Sequence, residues 1–255
     1  MSSTRRSTAR LQTQALVAYG APLRRLSRPL PELKGTEVLI KTTHAGCCHS
    51  ELHLWEGYFD LGAGRMLRRK PLTEPRTLGH EIEGTVVACG PDVPAGMFPD
   101  ADKPYAVYPW LGCERATCVH CRTEDTYNLC EARGRASKKF VDGETIYGGY
   151  ASHSVVPHWK YLLDFEGALP RGLGCVYMCS GLTAFGALKK VQRHPGIVNA
   201  QDVLILGLGG LGFQGLGFSV PMLGGPPLVA DIDAGKLARA VEMVPGTRAF
   251  NSRDD

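Results

Sequence analysis

DVLILGLGGLGFQGLGFSV, residues 202–220, starts as an apolar run and breaks into glycines at 207, 209, 210 and 212 before an apolar stretch resumes. A buried strand, a turn too tight for a Cβ and the start of a helix are the simplest reading. Gly207, Gly209 and Gly212 have the G-x-G-x-x-G spacing, and with Gly210 they would let a dinucleotide pyrophosphate approach backbone N–H groups at the helix start. Further on, LVAD ends in Asp231, nineteen residues past Gly212. A carboxylate at the end of a second strand would accept hydrogen bonds from an adenosine ribose, and its charge favours NAD over NADP. Pro221 lies inside the expected helix and is expected to kink it or end it early.

From about residue 170 the chain alternates helix and strand. GLTAFGALKKV (181–191) and AGKLARAVEMV (234–244) read as helices, DVLILG (202–207) and LVADI (228–232) as strands. Strand–helix–strand order implies parallel pairing and an α/β domain. The earlier part differs. QALVAY (14–19), EVLIKTTH (37–44), EGTVVACG (83–90), AVYPWLG (106–112) and ASHSVV (151–156) are β-branched and aromatic runs punctuated by Gly and Pro, which predicts a mostly β domain. Between them, Glu56 to Leu78 is rich in Gly, Pro and Arg and reads as surface.

The chain has 255 residues, 44% of them hydrophobic, and a formal charge of +4 spread without long single-sign blocks. These values suit a soluble globular protein of one or two domains and give no reason to expect a nucleic-acid or membrane partner. No apolar run is long enough to span a bilayer and no secretory leader is evident, so a cytoplasmic location is expected. Residues 1–12, Ser-, Thr- and Arg-rich at their start, read as a flexible tail.

Nine cysteines is an odd, high count, and most are clustered with other ligand types, which favours metal thiolates over disulfides. Cys113, Cys118, Cys121 and Cys130 fall within eighteen residues. Four thiolates complete a tetrahedral zinc and leave no position for substrate, the mark of a structural site. His120, between two of them, could substitute for one. A second concentration, GCCHSELHLW (46–55), holds Cys47 and Cys48, whose side chains diverge so that one metal does not easily take both. Its remaining ligands must come from elsewhere: His80, beside Glu81 in GHEIEG, and Cys179 in CSGLTAFG are candidates. Two thiolates and one imidazole leave a fourth position open, as a catalytic zinc requires.

Taken in order, CHSELH, GHEIEG, the four-cysteine loop, CSGLTAFGAL and GLGGLG followed by ADID resemble the zinc-containing medium-chain alcohol dehydrogenases, from about residue 13 to the end. The resemblance implies a GroES-like, mostly β catalytic domain over residues 13–166 and a Rossmann-type NAD-binding domain from 167 to 255. It implies two zinc ions, with Cys48, His80 and Cys179 as catalytic ligands and Glu81 as an occasional one. Cys47 is then a packing thiol, and Glu51, where the family usually has aspartate, supports the ligand histidine. Ser50 and His53 correspond to a proton relay, His49 to a residue facing the cofactor pyrophosphate, Thr183 to a nicotinamide contact, and Lys236 to a partner of the adenosine ribose. Trp55 corresponds to the substrate pocket. The implied reaction is hydride transfer between a primary or secondary alcohol and NAD, with zinc making the alcohol acidic and the relay removing its proton. A polyol or sugar dehydrogenase, or an inactive zinc-binding fragment, are the alternatives. Small-molecule alcohols or aldehydes are the expected partners, and a full-length relative is expected to be a homo-oligomer.

Two departures stand out. The structural cysteines are spaced x4, x2 and x8, where the family usually has x2, x2 and x7. The chain stops at AFNSRDD, where a third strand of the dinucleotide domain is expected to begin. The domain is therefore expected to be incomplete, and the isolated chain inactive or poorly soluble because sheet edge and apolar helix faces are left open.

Overall fold

The computed structural model describes residues 10–113, 115–122, 126–130, 148–165, 167–197 and 199–254. Most of the expected N-terminal tail, residues 1–9, lies outside them. The chain divides into two compact units, Met1–Met178 and Cys179–Asp255.

The first unit is mostly β. Its strands are β1 (Arg10–Leu16), β2 (Arg24–Pro29) and β3 (Val38–Gly46). After helix α1 (His49–Glu56) come β4 (Tyr58–Asp60), β5 (Met66–Arg68), β6 (Arg76–Thr77), β7 (Glu81–Cys89) and β8 (Pro104–Val107). A short helix α2 (Val119–Arg122), strands β9 (His153–Val156) and β10 (Leu162–Asp164) and a helical turn α3 (Gly174–Val176) follow. The main sheet has five strands in the order β10-β8-β7-β3-β9, all antiparallel. A second sheet, β2-β1-β6, and the β4-β5 hairpin complete the unit. Alternation along β7 separates two environments. Ile82 and Val86 enter an apolar core with Val38, Ile40, Val107 and Tyr161, while Glu81 and Glu83 are buried on the opposite face. At 25 cal/mol per Å² each such aliphatic side chain contributes about 1.5–3 kcal/mol on burial.

The expected strand at 14–19 begins earlier, at Arg10, so the last residues assigned to the tail are strand. Leu11, Thr13 and Ala15 are buried and Gln14 exposed, an alternation that extends further back than QALVAY indicated. The sequence reading passed over β2, whose Arg24, Arg25 and Arg28 break up the apolar pattern. β2 nonetheless pairs with β1 from Arg10 to Ala15. The first unit also runs beyond the expected boundary at 166, because α3 packs against β7 and β3.

In the second unit, helix α4 (Leu182–Gln192) precedes strand β11 (Leu204–Leu206), helix α5 (Gly210–Leu223), strand β12 (Leu228–Asp231), helix α6 (Ala234–Met243) and strand β13 (Arg248–Asn251). The strands are parallel in the order β11-β12-β13, one βαβαβ half of a dinucleotide domain. Leu208, Leu216, Val229, Leu237 and Ala240 form its core. Pro221 does not end α5, which runs on to Leu223 and closes on Gly224 at φ 76°. The proline stands in the last turn, so only one backbone bond is lost, and Ser219 Oγ donates to the Leu216 carbonyl at 2.6 Å. Among the described residues no helix is long and apolar enough to cross a membrane.

Candidate active site

The local chain path around Cys48 begins with a bulge. Along β3 the pairing with β7 skips Thr43, moving from Thr42 opposite Gly84 to His44 opposite Glu83. Such an insertion turns the strand and re-aims the residues after it, and Gly46 is left opposite Glu81. A Cβ at Gly46 would overlap Glu81 Oε2, so glycine here is what lets that carboxylate fold in. α1 follows at once, with Cys48 extended in front of it, and terminates at Gly57, which has φ 82° and faces the Tyr19 ring.

These elements bring Cys48, His80 and Glu81 together: one ligand atom from each lies within 4.8 Å of the others. Glu81 is buried, whereas Cys48 and His80 are partly open. Glu51, 5% exposed, places Oε1 2.6 Å from His80 Nδ1. The charged contact fixes the ring and leaves Nε2 as the available ligand atom. Glu51 Oε2 is buried with no hydrogen-bond partner. Sulfur, imidazole nitrogen and carboxylate at this spacing fit a zinc ion.

Ser50, His49 and His53 occupy α1. The His53 ring lies 4.8 Å from that of His49 and 5.0 Å from Phe59, between centroids. Its Nδ1 is buried without a hydrogen bond, 3.5 Å from Glu56 Oε2. Trp55 Nε1 donates to the Ala21 carbonyl at 2.6 Å, anchoring the indole to the segment after β1. Cys47 is exposed, not packed, because it follows Gly46 where the chain leaves the sheet. Tyr150, which sequence reasoning did not single out, donates to the Gly46 carbonyl at 3.5 Å. Burial, and then the hydrogen bond and charge of Cys47 and the charges of Glu51 and Glu81, raise its phenol above the ordinary value, so it stays neutral. The GGY run at 148–150 was its only sequence signal. Glu83 was also missed. It is fully buried, accepts the Gly172 N–H at 2.8 Å and lies 3.3 Å from His44 Nδ1. Its signal was its position two residues after Glu81 on a strand.

Cys179 begins the second unit, inside a wide π-helical turn, Tyr177–Gly181, that leads into α4; Thr183 is exposed in the first turn of that helix. In the glycine turn, Gly207 has φ 87°, and a Cβ at Gly212 would overlap the Gly207 carbonyl oxygen. At Gly209 and Gly210 a Cβ would meet nothing within 4 Å, which leaves a cradle at the start of α5 that suits a pyrophosphate. Asp231 ties the turn to β12: Leu208 N–H donates to Oδ2 at 2.6 Å and Asp233 N–H to Oδ1 at 2.9 Å. Those two N–H groups, and more weakly Lys236, with Nζ 3.9 Å from Oδ2, hold its carboxyl below the ordinary value.

The four-cysteine site is separate. Cys113 and Cys121 sulfurs lie 3.7 Å apart and those of Cys118 and Cys130 3.9 Å. With Zn–S bonds of 2.3 Å, a tetrahedron has S···S edges of about 3.8 Å, so the set fits zinc despite its altered spacing. α2 begins just after Cys118, and the Cys121 N–H first among several donors lowers the Cys118 thiol to about 7. His120 is not part of the set; its Nδ1 is 3.2 Å from Thr126 Oγ1.

Residues 34–166 match the alcohol dehydrogenase GroES-like domain. An NAD-dependent alcohol dehydrogenase of Sulfurisphaera tokodaii is 33% identical over 200 residues, covering 78% of this chain and 52% of that protein. A probable cinnamyl alcohol dehydrogenase of rice is 30% identical over 226 residues, covering 84% and 55%. The chain thus spans about half the length of the curated relatives it matches. Among solved structures, acetophenone reductase from Geotrichum candidum in complex with NAD superposes with TM-score 0.74 at 25% identity, over 96% of this chain and 64% of that one. Benzyl alcohol dehydrogenase from Acinetobacter calcoaceticus shares the fold at TM-score 0.75 and 18% identity, over 97% and 65%. With its GroES-like domain and its paired motifs, the chain belongs to the zinc-containing medium-chain alcohol dehydrogenase family.

Proposed function

We propose that this chain serves a zinc-dependent oxidoreductase that moves a hydride between a primary or secondary alcohol and NAD. The observation that carries the reading is the convergence of Cys48, His80 and Glu81, with His80 held by Glu51 at 2.6 Å. Cys48, His80 and Cys179 are the proposed catalytic ligands, with Glu81 as an alternate, and Cys113, Cys118, Cys121 and Cys130 hold a second, structural zinc. Bound there, zinc supplies Lewis acidity toward an alcohol oxygen and NAD supplies a hydride acceptor.

The protein's own part is to orient groups and move a proton. Ser50 Oγ takes the proton of the alcohol hydroxyl, and His53 carries it to solvent. An imidazole can accept a proton at one ring nitrogen and release one from the other, which suits that task, and the buried His53 Nδ1, without a hydrogen bond and 3.5 Å from Glu56 Oε2, supports it. His49 faces the pyrophosphate and Thr183 the nicotinamide. The glycine turn at 207–212 receives the pyrophosphate, and Asp231 with Lys236 receives the adenosine ribose.

Metal analysis and NADH fluorescence on the purified chain test the reading. Two zinc ions per chain are expected, falling to one in Cys48→Ser, together with enhanced NADH fluorescence. A chain that binds one zinc in both forms and leaves NADH fluorescence unchanged would sink it.

A further inference from the structure

The loop-rich stretch after α1 encloses a concavity that the dehydrogenase reading leaves unused. It is a cavity of about 740 Å³ in the first unit, walled by the β4-β5 hairpin and the segment from Arg68 to Arg76, with Tyr19 opposite. Its volume falls in the range of small-molecule sites. Four of its lining residues are cations, Arg68, Arg69, Lys70 and Arg76, against a single acid, Glu74. Among the described residues no ion pair engages any of the four.

The walls are tied into the unit. Tyr19 donates its hydroxyl to the Lys70 carbonyl at 2.7 Å, Arg69 N–H donates to the Gly57 carbonyl at 2.8 Å, and Arg76 opens β6, which pairs with β1. Three successive cations repel one another, and the nearby Asp60 carboxylate accepts the Gly62 N–H at 2.8 Å, where it caps the hairpin. Between the charges the lining is apolar: Phe59, Leu67 and Leu72, with Leu67 57% exposed. Guanidinium forks match phosphate oxygens, and an apolar wall accepts a ring or aliphatic body.

We infer that this cavity binds a soluble phosphate ester with an aromatic or aliphatic body. The phosphate is held by Arg68, Arg69, Lys70 and Arg76, and the body rests on Phe59, Leu67 and Leu72. None of its lining residues is a proposed zinc ligand or part of the glycine turn, and the inference does not depend on the dehydrogenase reading.

Isothermal titration of the full chain at low salt with 4-nitrophenyl phosphate, 4-nitrophenol and inorganic phosphate tests it. The ester is expected to bind more tightly than either of its parts. Arg69→Ala with Arg76→Ala should weaken it about tenfold or more, and the corresponding double lysine variant should weaken it less, since charge remains without the fork. Removing two charges on the far strand of the β2-β1-β6 sheet, with Arg24→Ala and Arg25→Ala, should weaken it clearly less than the Arg69/Arg76 pair does, and Cys48→Ser and Gly209→Ala should change affinity less than twofold. Equal weakening in the Arg24/Arg25 control, loss of binding in Cys48→Ser or Gly209→Ala, or an ester no tighter than inorganic phosphate would each overturn the inference. So would binding only to phosphatidylcholine vesicles containing phosphatidic acid. Matching thermal melts of the variants exclude misfolding as the cause of weaker binding.

Discussion

Glu51 Oε1 and His80 Nδ1 lie 2.6 Å apart, one group on α1 and the other immediately before β7. A carboxylate behind a ligand histidine fixes its tautomer and raises its basicity, and loss of such a partner typically lowers metal affinity about 10–100-fold. Glu51→Ala is expected to cost zinc affinity in that range at the Cys48 site and to leave the four-cysteine site unchanged. Competition with a chromophoric chelator reads both. Glu51→Gln keeps an acceptor for the ring N–H without the charge and should lose less; unchanged zinc affinity in Glu51→Ala would show that the carboxylate does not act through His80.

How far this site could be read from sequence depended on distance along the chain. Glu51 was expected to support a ligand histidine, although its extra methylene relative to aspartate left the reach open; the bulge at Thr43 and the cap at Gly57 set that reach, and neither has a local sequence signature. The glycine turn was legible because strand, turn and helix follow in one stretch. The burial of Glu81 was not, since it depends on Gly46 across a strand pair. Tyr150 and Glu83 were missed for the same reason. β2 escaped because arginines occupy positions that alternation reserves for apolar residues, and Pro221 misled because a proline in a last helical turn loses little.

The two ends of the glycine turn serve different masters. A Cβ at Gly212 would overlap the Gly207 carbonyl oxygen, while one at Gly209 would meet nothing within 4 Å. Gly212→Ala should therefore destabilise the second unit by about 1–3 kcal/mol, since backbone must move. Gly209→Ala should melt within about 0.5–1 kcal/mol of wild type and yet lose NADH fluorescence, because only an occupant of the cradle objects to the methyl group. Thermal melts and NADH titration on both variants check this. Unchanged NADH binding in Gly209→Ala would show that the pyrophosphate does not lie there.

Asp231 makes the same turn sensitive to acid. Its carboxyl is held below the ordinary 3.8 by the Leu208 and Asp233 N–H groups and by Lys236. A lowered native value means that the ionised form is favoured by folding, so its stabilisation is complete above pH 3.8 and is lost as pH falls through the depressed native value. Asp231→Asn should remove that part of the acid dependence. Unfolding midpoints measured across the acid range should converge for wild type and variant at the lowest pH. A constant gap at every pH would show that Asp231 contributes by geometry alone.

The four-cysteine loop tests whether geometry or spacing governs zinc binding. Its sequence spacing is enlarged, yet its sulfur pairs at 3.7 and 3.9 Å match the edges of a zinc tetrahedron. If geometry governs, zinc binds the folded loop and not the unfolded chain, and the metal stabilises by mass action, about 4 kcal/mol at a thousandfold excess over its dissociation constant. For a chain of this size that corresponds to about 8–16 °C in Tm. Cys130, buried at 1% exposure, is the ligand whose loss solvent can least make good. Cys130→Ser should abolish this zinc-dependent rise in Tm while the Cys48 site still takes up metal. If Cys130→Ser keeps the full rise, the loop does not hold zinc and the four thiols are together for packing alone.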